Sequence, residues 1–74
     1  MKKAPWPDYA GAEIREGDTI QHPDGELGTV VFLADEKEPS DQWRVDYGGG
    51  YLSRLCLQIG DKGQAIVNKK GSST

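Results

Sequence analysis

The chain has 74 residues, of which 35% are hydrophobic and 28% charged, with 10 glycines and a net charge of −3. A chain of this length is one domain at most and buries only about 60% of the surface its unfolded form exposes, which argues against a deep private active-site cleft. Residues 13–60 carry ten acids against four bases while both ends are weakly basic, so the body lacks the basic footprint usual for a nucleic-acid binder.

Residues 1–12 read as an extended arm, because Pro5 and Pro7 bracket Trp6 and forbid a helix there. Two roles are open to Trp6 and Tyr9: docking on the body to close an open end, or serving as an exposed aromatic motif for a partner. Glu16-Gly17-Asp18 turns the chain into a first strand, Thr19-Ile20-Gln21-His22, with Ile20 on the buried face. Pro23-Asp24-Gly25 is a strong turn signal: Pro presets φ, Asp bonds nearby backbone, and Gly supplies a left-handed position.

The second strand is expected from Gly28 to Ala34. Thr29-Val30-Val31-Phe32-Leu33 suits a strand buried on both sides, and Gly28 suggests a bulge or sharp bend at its start. Asp35 to Gln42 reads as a solvated polar loop. Trp43-Arg44-Val45-Asp46-Tyr47 then alternates cleanly, with Trp43, Val45 and Tyr47 on one face and Arg44 and Asp46 on the other. Gly48-Gly49-Gly50 turns the chain back. Tyr51 to Leu57 reads as a short strand followed by a single helical turn. Asp61-Lys62-Gly63 is another turn, Gln64 to Val67 the last strand, and residues 69–74 a disordered tail. About five short strands with turns between them make an all-β fold, with a small barrel over residues 13–68.

Cys56 is the sole cysteine. It has no internal disulfide partner, and its place between Leu55 and Leu57 suits a small buried hydrophobe. The first residues lack an apolar signal region, and no run approaches the roughly 20 apolar residues of a membrane span. A reducing cytoplasm is the expected compartment. With one histidine, His22, and one cysteine, a zinc site lacks its ligands. A Cys56–His22 nucleophilic pair is formally possible, but His22 is more simply the strand-end residue that caps the turn at Pro23. No cofactor is called for.

Gly17-Asp18-x-Ile20-x-His22-Pro23-x-Gly25-x-x-Gly28-x-Val30 resembles the opening strand pair of SH3-like and Tudor-like barrels. It is similar in particular to the C-terminal Tudor-like domain of bacterial DNA-repair helicases and the polymerase-binding domain of CarD-type regulators. Trp43 to Gly49 resembles their third strand and turn. The resemblance covers about residues 16–59. It implies an SH3-like barrel in a bacterial or phage setting that docks onto transcription or DNA-repair machinery through protein contacts. Leu57-Gln58-Ile59-Gly60 also resembles the pore segment of type II dihydrofolate reductases, with Gly60 where that family has Tyr. That second resemblance implies a homotetrameric NADPH-dependent reductase with a shared pore.

The aromatics are the leading functional candidates. Trp43, Tyr47 and Tyr51 lie on or beside one strand and its turn, and such residues form ligand platforms in SH3-like folds. Trp43 and Tyr47 equally suit the core beside Val45. Arg44 and Arg54 add a small basic spot. A non-enzymatic protein-interaction module is the expected function, with nucleic-acid binding through Arg44, Arg54 and the lysine-bearing ends as the alternative.

Overall fold

Five strands form one antiparallel sheet in the computed structural model, which describes residues 2–68: β1 (Thr19–Gln21), β2 (Leu27–Phe32), β3 (Trp43–Asp46), β4 (Leu52–Arg54) and β5 (Ile66–Val67). Their order is β4-β3-β2-β1-β5, so the sheet is open, with β4 and β5 at its two edges. Single helical turns, α1 (Pro39–Gln42) and α2 (Leu55–Gln58), join β2 to β3 and β4 to β5. The all-β expectation stands. The tail expected over residues 69–74 lies outside the described residues. Among the described residues no helix is long and apolar enough to cross a membrane.

Register follows from the alternation of apolar side chains. Ile20 pairs with Gly28 and Val67, and Val30 pairs with Val45. Paired residues point to the same side of a sheet. Ile20, Val30 and Val45 are fully buried there, with Ile14, Leu55 and Ala65 beside them. β2 was expected to be buried on both faces, but Thr29 is exposed and Val31 half-buried. On the second face Arg44, paired with Val31, meets Asp41 of α1, while Thr29 stays open, so β2 alternates like its neighbours. It also ends at Phe32, before the expected Ala34.

Gly28 corrects another expectation. It pairs in register with Ile20, so it marks no bulge. A Cβ there would collide with Val45 and lie 2.6 Å from Cε1 of Tyr47, so glycine is required by close packing. Gly28→Ala is expected to destabilise the domain by about 1–3 kcal/mol, as overpacking does in a tight interior. Urea unfolding curves check it, and a midpoint equal to wild type would show that Tyr47 swings away freely.

The segment expected as a plain polar loop winds into α1. Pro39 sits in its first turn, where a missing N–H leaves no hydrogen bond unmade. The Leu33 N–H donates to the Gln42 carbonyl at 2.7 Å, and the Gln42 side chain donates to the Glu36 carbonyl at 2.9 Å. Asp41 is thereby placed beside β3.

The N-terminal arm folds back on the chain that follows it. Lys3 bridges to Arg15, the Ala4 N–H donates to the Ile14 carbonyl and the Glu16 N–H to the Lys2 carbonyl, both at 2.8 Å. Ala4 is buried in the common core, and half-buried Trp6 packs against it. Asp8 is the only charged residue among the buried ones. Its carboxylate accepts from the N–H groups of Ala10, Ala12 and Val67 at 2.9, 2.7 and 2.7 Å. The Tyr9 N–H donates to the Ala65 carbonyl at 3.1 Å. The arm therefore caps the outer edge of β5, which would otherwise present unpaired backbone groups.

Candidate functional site

Tyr47 follows β3 and lies over Gly28, with its hydroxyl at a junction of distant segments. The Tyr47 hydroxyl lies between Gln58 Oε1, at 3.0 Å, and His22 Nε2, two acceptors that share its single proton. His22 Nδ1–H donates to the Gly63 carbonyl at 2.9 Å; a carbonyl only accepts, which fixes the role of that nitrogen. The ends of β1 and β3, α2 and the turn before β5 are thus tied through three side chains. Desolvation, aided by the negative charges of Glu26 and Asp24, pushes the Tyr47 phenol up to about 12. Its folded pKa exceeds the unfolded value near 10, so the stability it contributes is complete below about pH 10. That contribution is lost as pH rises through 12. An alkaline titration followed by phenolate absorbance is expected to show one tyrosine ionising near pH 12 together with the loss of structure.

This junction is structural. Both ring nitrogens of His22 are engaged, and neither bonds Cys56. Cys56 is free and half-buried, not the enclosed hydrophobe expected. In the segment likened to a reductase pore, Leu57 is exposed, Gln58 is held by Tyr47 and Ile59 is buried, so its three side chains diverge. Among the described residues no group of three His, Cys, Asp or Glu is placed to hold a metal ion.

The seven candidate binding residues do not form one platform. Trp43 is only 2% exposed and packs against Phe32, with ring centroids 5.0 Å apart. It belongs to the core and leaves the candidate surface, because its period-2 face is the inner one. Tyr47 is half-buried and locked by its hydroxyl. Trp6 packs on the core, whereas Tyr9 is docked by its backbone with its ring half exposed. Tyr51 is 77% exposed beside the glycine turn. Arg44 and Arg54 do come together, since they pair across β3 and β4. Both reach Asp41 Oδ1, at 3.6 and 3.0 Å, and Arg44 also donates to the carbonyls of Asp41 and Leu52. Asp41 of α1 thus offsets one of the two positive charges of the expected basic spot.

The outer face of the sheet offers what the aromatics do not. Ile66, Gln21 and Leu27 form one cross-strand row, and Thr19, Thr29, Asp46 and Leu52 the next. Leu27 and Ile66 are 51% and 41% exposed. A shallow groove runs along this face, lined by Thr19, Leu27, Thr29, Asp46, Tyr47 and Gly48. Sequence reading missed Leu27 and Ile66, although Leu27 stands alone between the polar turn and Gly28 and so signals an apolar residue outside the core pattern.

No protein-family model matches the chain, and no curated protein or solved structure matches it significantly.

Proposed function

We propose that this chain is a non-catalytic protein-binding module that uses the outer face of its sheet. One observation carries the reading: Leu27 and Ile66 stand exposed on the outer sheet face beside uncharged Gln21, Thr19 and Thr29. Gln21 stands between the two in their row, and contiguous exposed apolar surface marks interaction sites. The strand order β4-β3-β2-β1-β5, with a helical turn before β5, supports reading the open sheet as an SH3-like barrel. The Tudor-like resemblance makes a component of transcription or DNA-repair machinery the first partner to try. A single free cysteine suits a reducing cytoplasm.

Nucleic acid ranks below protein as the partner because the arginines are engaged within the chain. Arg44 and Arg54 share Asp41, and Arg15 pairs with Glu13. That hydrogen bond from Arg15 holds the Glu13 carboxyl below its ordinary range. Phosphate contacts would have to displace these carboxylates in a chain of net charge −3.

The test compares immobilised wild type with Leu27→Glu in capture from a cell extract. Leu27 is exposed, so the variant is expected to melt like wild type and to lose at least one protein that wild type retains. Identical captured sets would overturn the assignment of this face.

A further inference from the structure

We propose that Arg54, with Arg44 beside it, recognises a side-chain carboxylate of the partner protein, so that the segment bound on the outer sheet face carries an Asp or Glu as well as an aliphatic residue. The inference rests on the protein-binding reading and adds the charged half of what that surface recognises. Register places the two arginines. Val31 pairs with Arg44, and Arg44 with Arg54, so the three form one cross-strand row. Leu27, Thr29 and Val31 alternate along β2 with buried Gly28 and Val30. The arginine row therefore shares the outer face with Leu27 and crosses β2 about 13 Å further along.

Charge and free donors then name the ligand. Like charges directly opposite in a sheet are destabilising. Among the described residues Asp41 is the one carboxylate within ion-pair distance of this pair, so one positive charge is left uncompensated. Asp46, the next acid along β3 on that face, accepts the Gly48 N–H at 2.8 Å and pairs with neither arginine. Asp35, Glu36 and Glu38, in the loop before α1, form no ion pair with them either. The two guanidiniums are used unequally. Arg44 is held on three sides: Nη2 lies 3.6 Å from Asp41 Oδ1, Nε donates to the Asp41 carbonyl at 2.8 Å and Nη1 to the Leu52 carbonyl at 3.2 Å. Arg54 meets Asp41 through Nη2 alone, at 3.0 Å, and its side chain is 52% exposed. Its other N–H donors can take an incoming group without displacing Asp41, and a planar carboxylate matches two parallel N–H groups of a guanidinium. A protein rather than a nucleic acid supplies that group. One carboxylate matches the one residual charge, whereas a run of phosphates exceeds it and meets a chain of net charge −3.

The probes are serine peptides with a central leucine and, four positions to each side of it, Glu, Gln or Lys; the symmetry suits either chain direction. A fourth carries the Glu residues with alanine in place of leucine. Each is titrated into the full chain and followed by amide NMR shifts and by the Arg54 Nε–H signal. The Glu–Leu peptide is expected to shift Gln21, Leu27 and the Arg54 Nε–H saturably, with affinity falling as salt is added. Arg54→Gln is expected to weaken it roughly twofold to fivefold, and Asp41→Asn, which leaves both arginines uncompensated, to tighten it by a similar factor. Arg54→Glu is expected to switch the preference to the Lys peptide. Equal affinity for the Gln peptide, or an Arg54→Gln variant that binds like wild type, would overturn the carboxylate inference, while shifts at Leu27 would still support the face as a protein-binding surface. Equal affinity for the alanine peptide would overturn the aliphatic part and reduce the contact to charge alone. Saturable shifts of the Arg54 Nε–H with a short single-stranded oligonucleotide would assign the arginines to phosphate and overturn the protein carboxylate. If no peptide shifts either Leu27 or Arg54, the inference and the assignment of the face fail together.

Discussion

Trp43→Ala is expected to lower stability by about 3–5 kcal/mol, the usual cost of truncating a buried aromatic to alanine. Trp43 is 2% exposed, stacks at a tilt on Phe32 and pairs with it across β2 and β3. Removing the indole leaves a hole that Phe32 and Val45 cannot fill without distorting the ladder. A 74-residue chain has on the order of 4–11 kcal/mol of total stability. The substitution therefore removes a large fraction of it, and the melting temperature should fall by more than about 10 °C. Lys2, whose ammonium lies 4.9 Å from the Phe32 ring centroid, would lose its support as well. Thermal or urea unfolding checks this. A melt within a degree or two of wild type would contradict the placement of Trp43 in the core.

Asp8→Ala is the second large effect, at about 3 kcal/mol or more. The buried carboxylate accepts from three backbone N–H groups, those of Ala10, Ala12 and Val67. A buried donor left without an acceptor costs about 1–3 kcal/mol, and hydrogen bonds to a charged group are the stronger kind. The loss would also act at a distance. Val67 belongs to β5, so the arm would release the edge of the sheet it now caps. Amide hydrogen exchange should rise at Val67, Ala12 and Ala10 together, well before the central strands β2 and β3 are affected. Exchange that stays slow at Val67 in the variant would show that the arm is held by Trp6 and Ala4 alone.

The parts of this fold that were legible in the chain are those written in local periodicity. Ile20, Val30 and Val45 sit at alternating positions between turn signals, and each is fully buried. The glycine turn after Tyr47 and the helical turn following β4 were also readable from neighbouring residues. Trp43 was ambiguous because a period-2 pattern assigns a face without saying what closes over it. The capping of β5 was half legible. Asp8 bonding the N–H of Ala10 is an ordinary Asp turn, but its bond to Val67 joins residues at opposite ends of the chain.

The candidate site was harder to read, because it depends on register. Asp41 meets Arg44 only because residues 39–42 wind into a helical turn, and meets Arg54 only because β4 pairs in register with β3. Neither condition has a local sequence signature. His22, Tyr47 and Gln58 likewise converge from three separate elements, so the single histidine gave no sign that both its nitrogens would be engaged. The charge count argued against a nucleic-acid partner, and the Asp41 shared by the two arginines offsets half of the basic spot that opposed it.

The most direct measurement is an amide NMR titration of the full chain at low salt with short single-stranded and duplex oligonucleotides. With Arg44 and Arg54 engaged by Asp41 and the body acidic, no saturable shift is expected at Arg44, Tyr47, Tyr51 or Arg54. Saturable shifts at those residues that weaken as salt is added would contradict the account and make the chain a nucleic-acid-binding module.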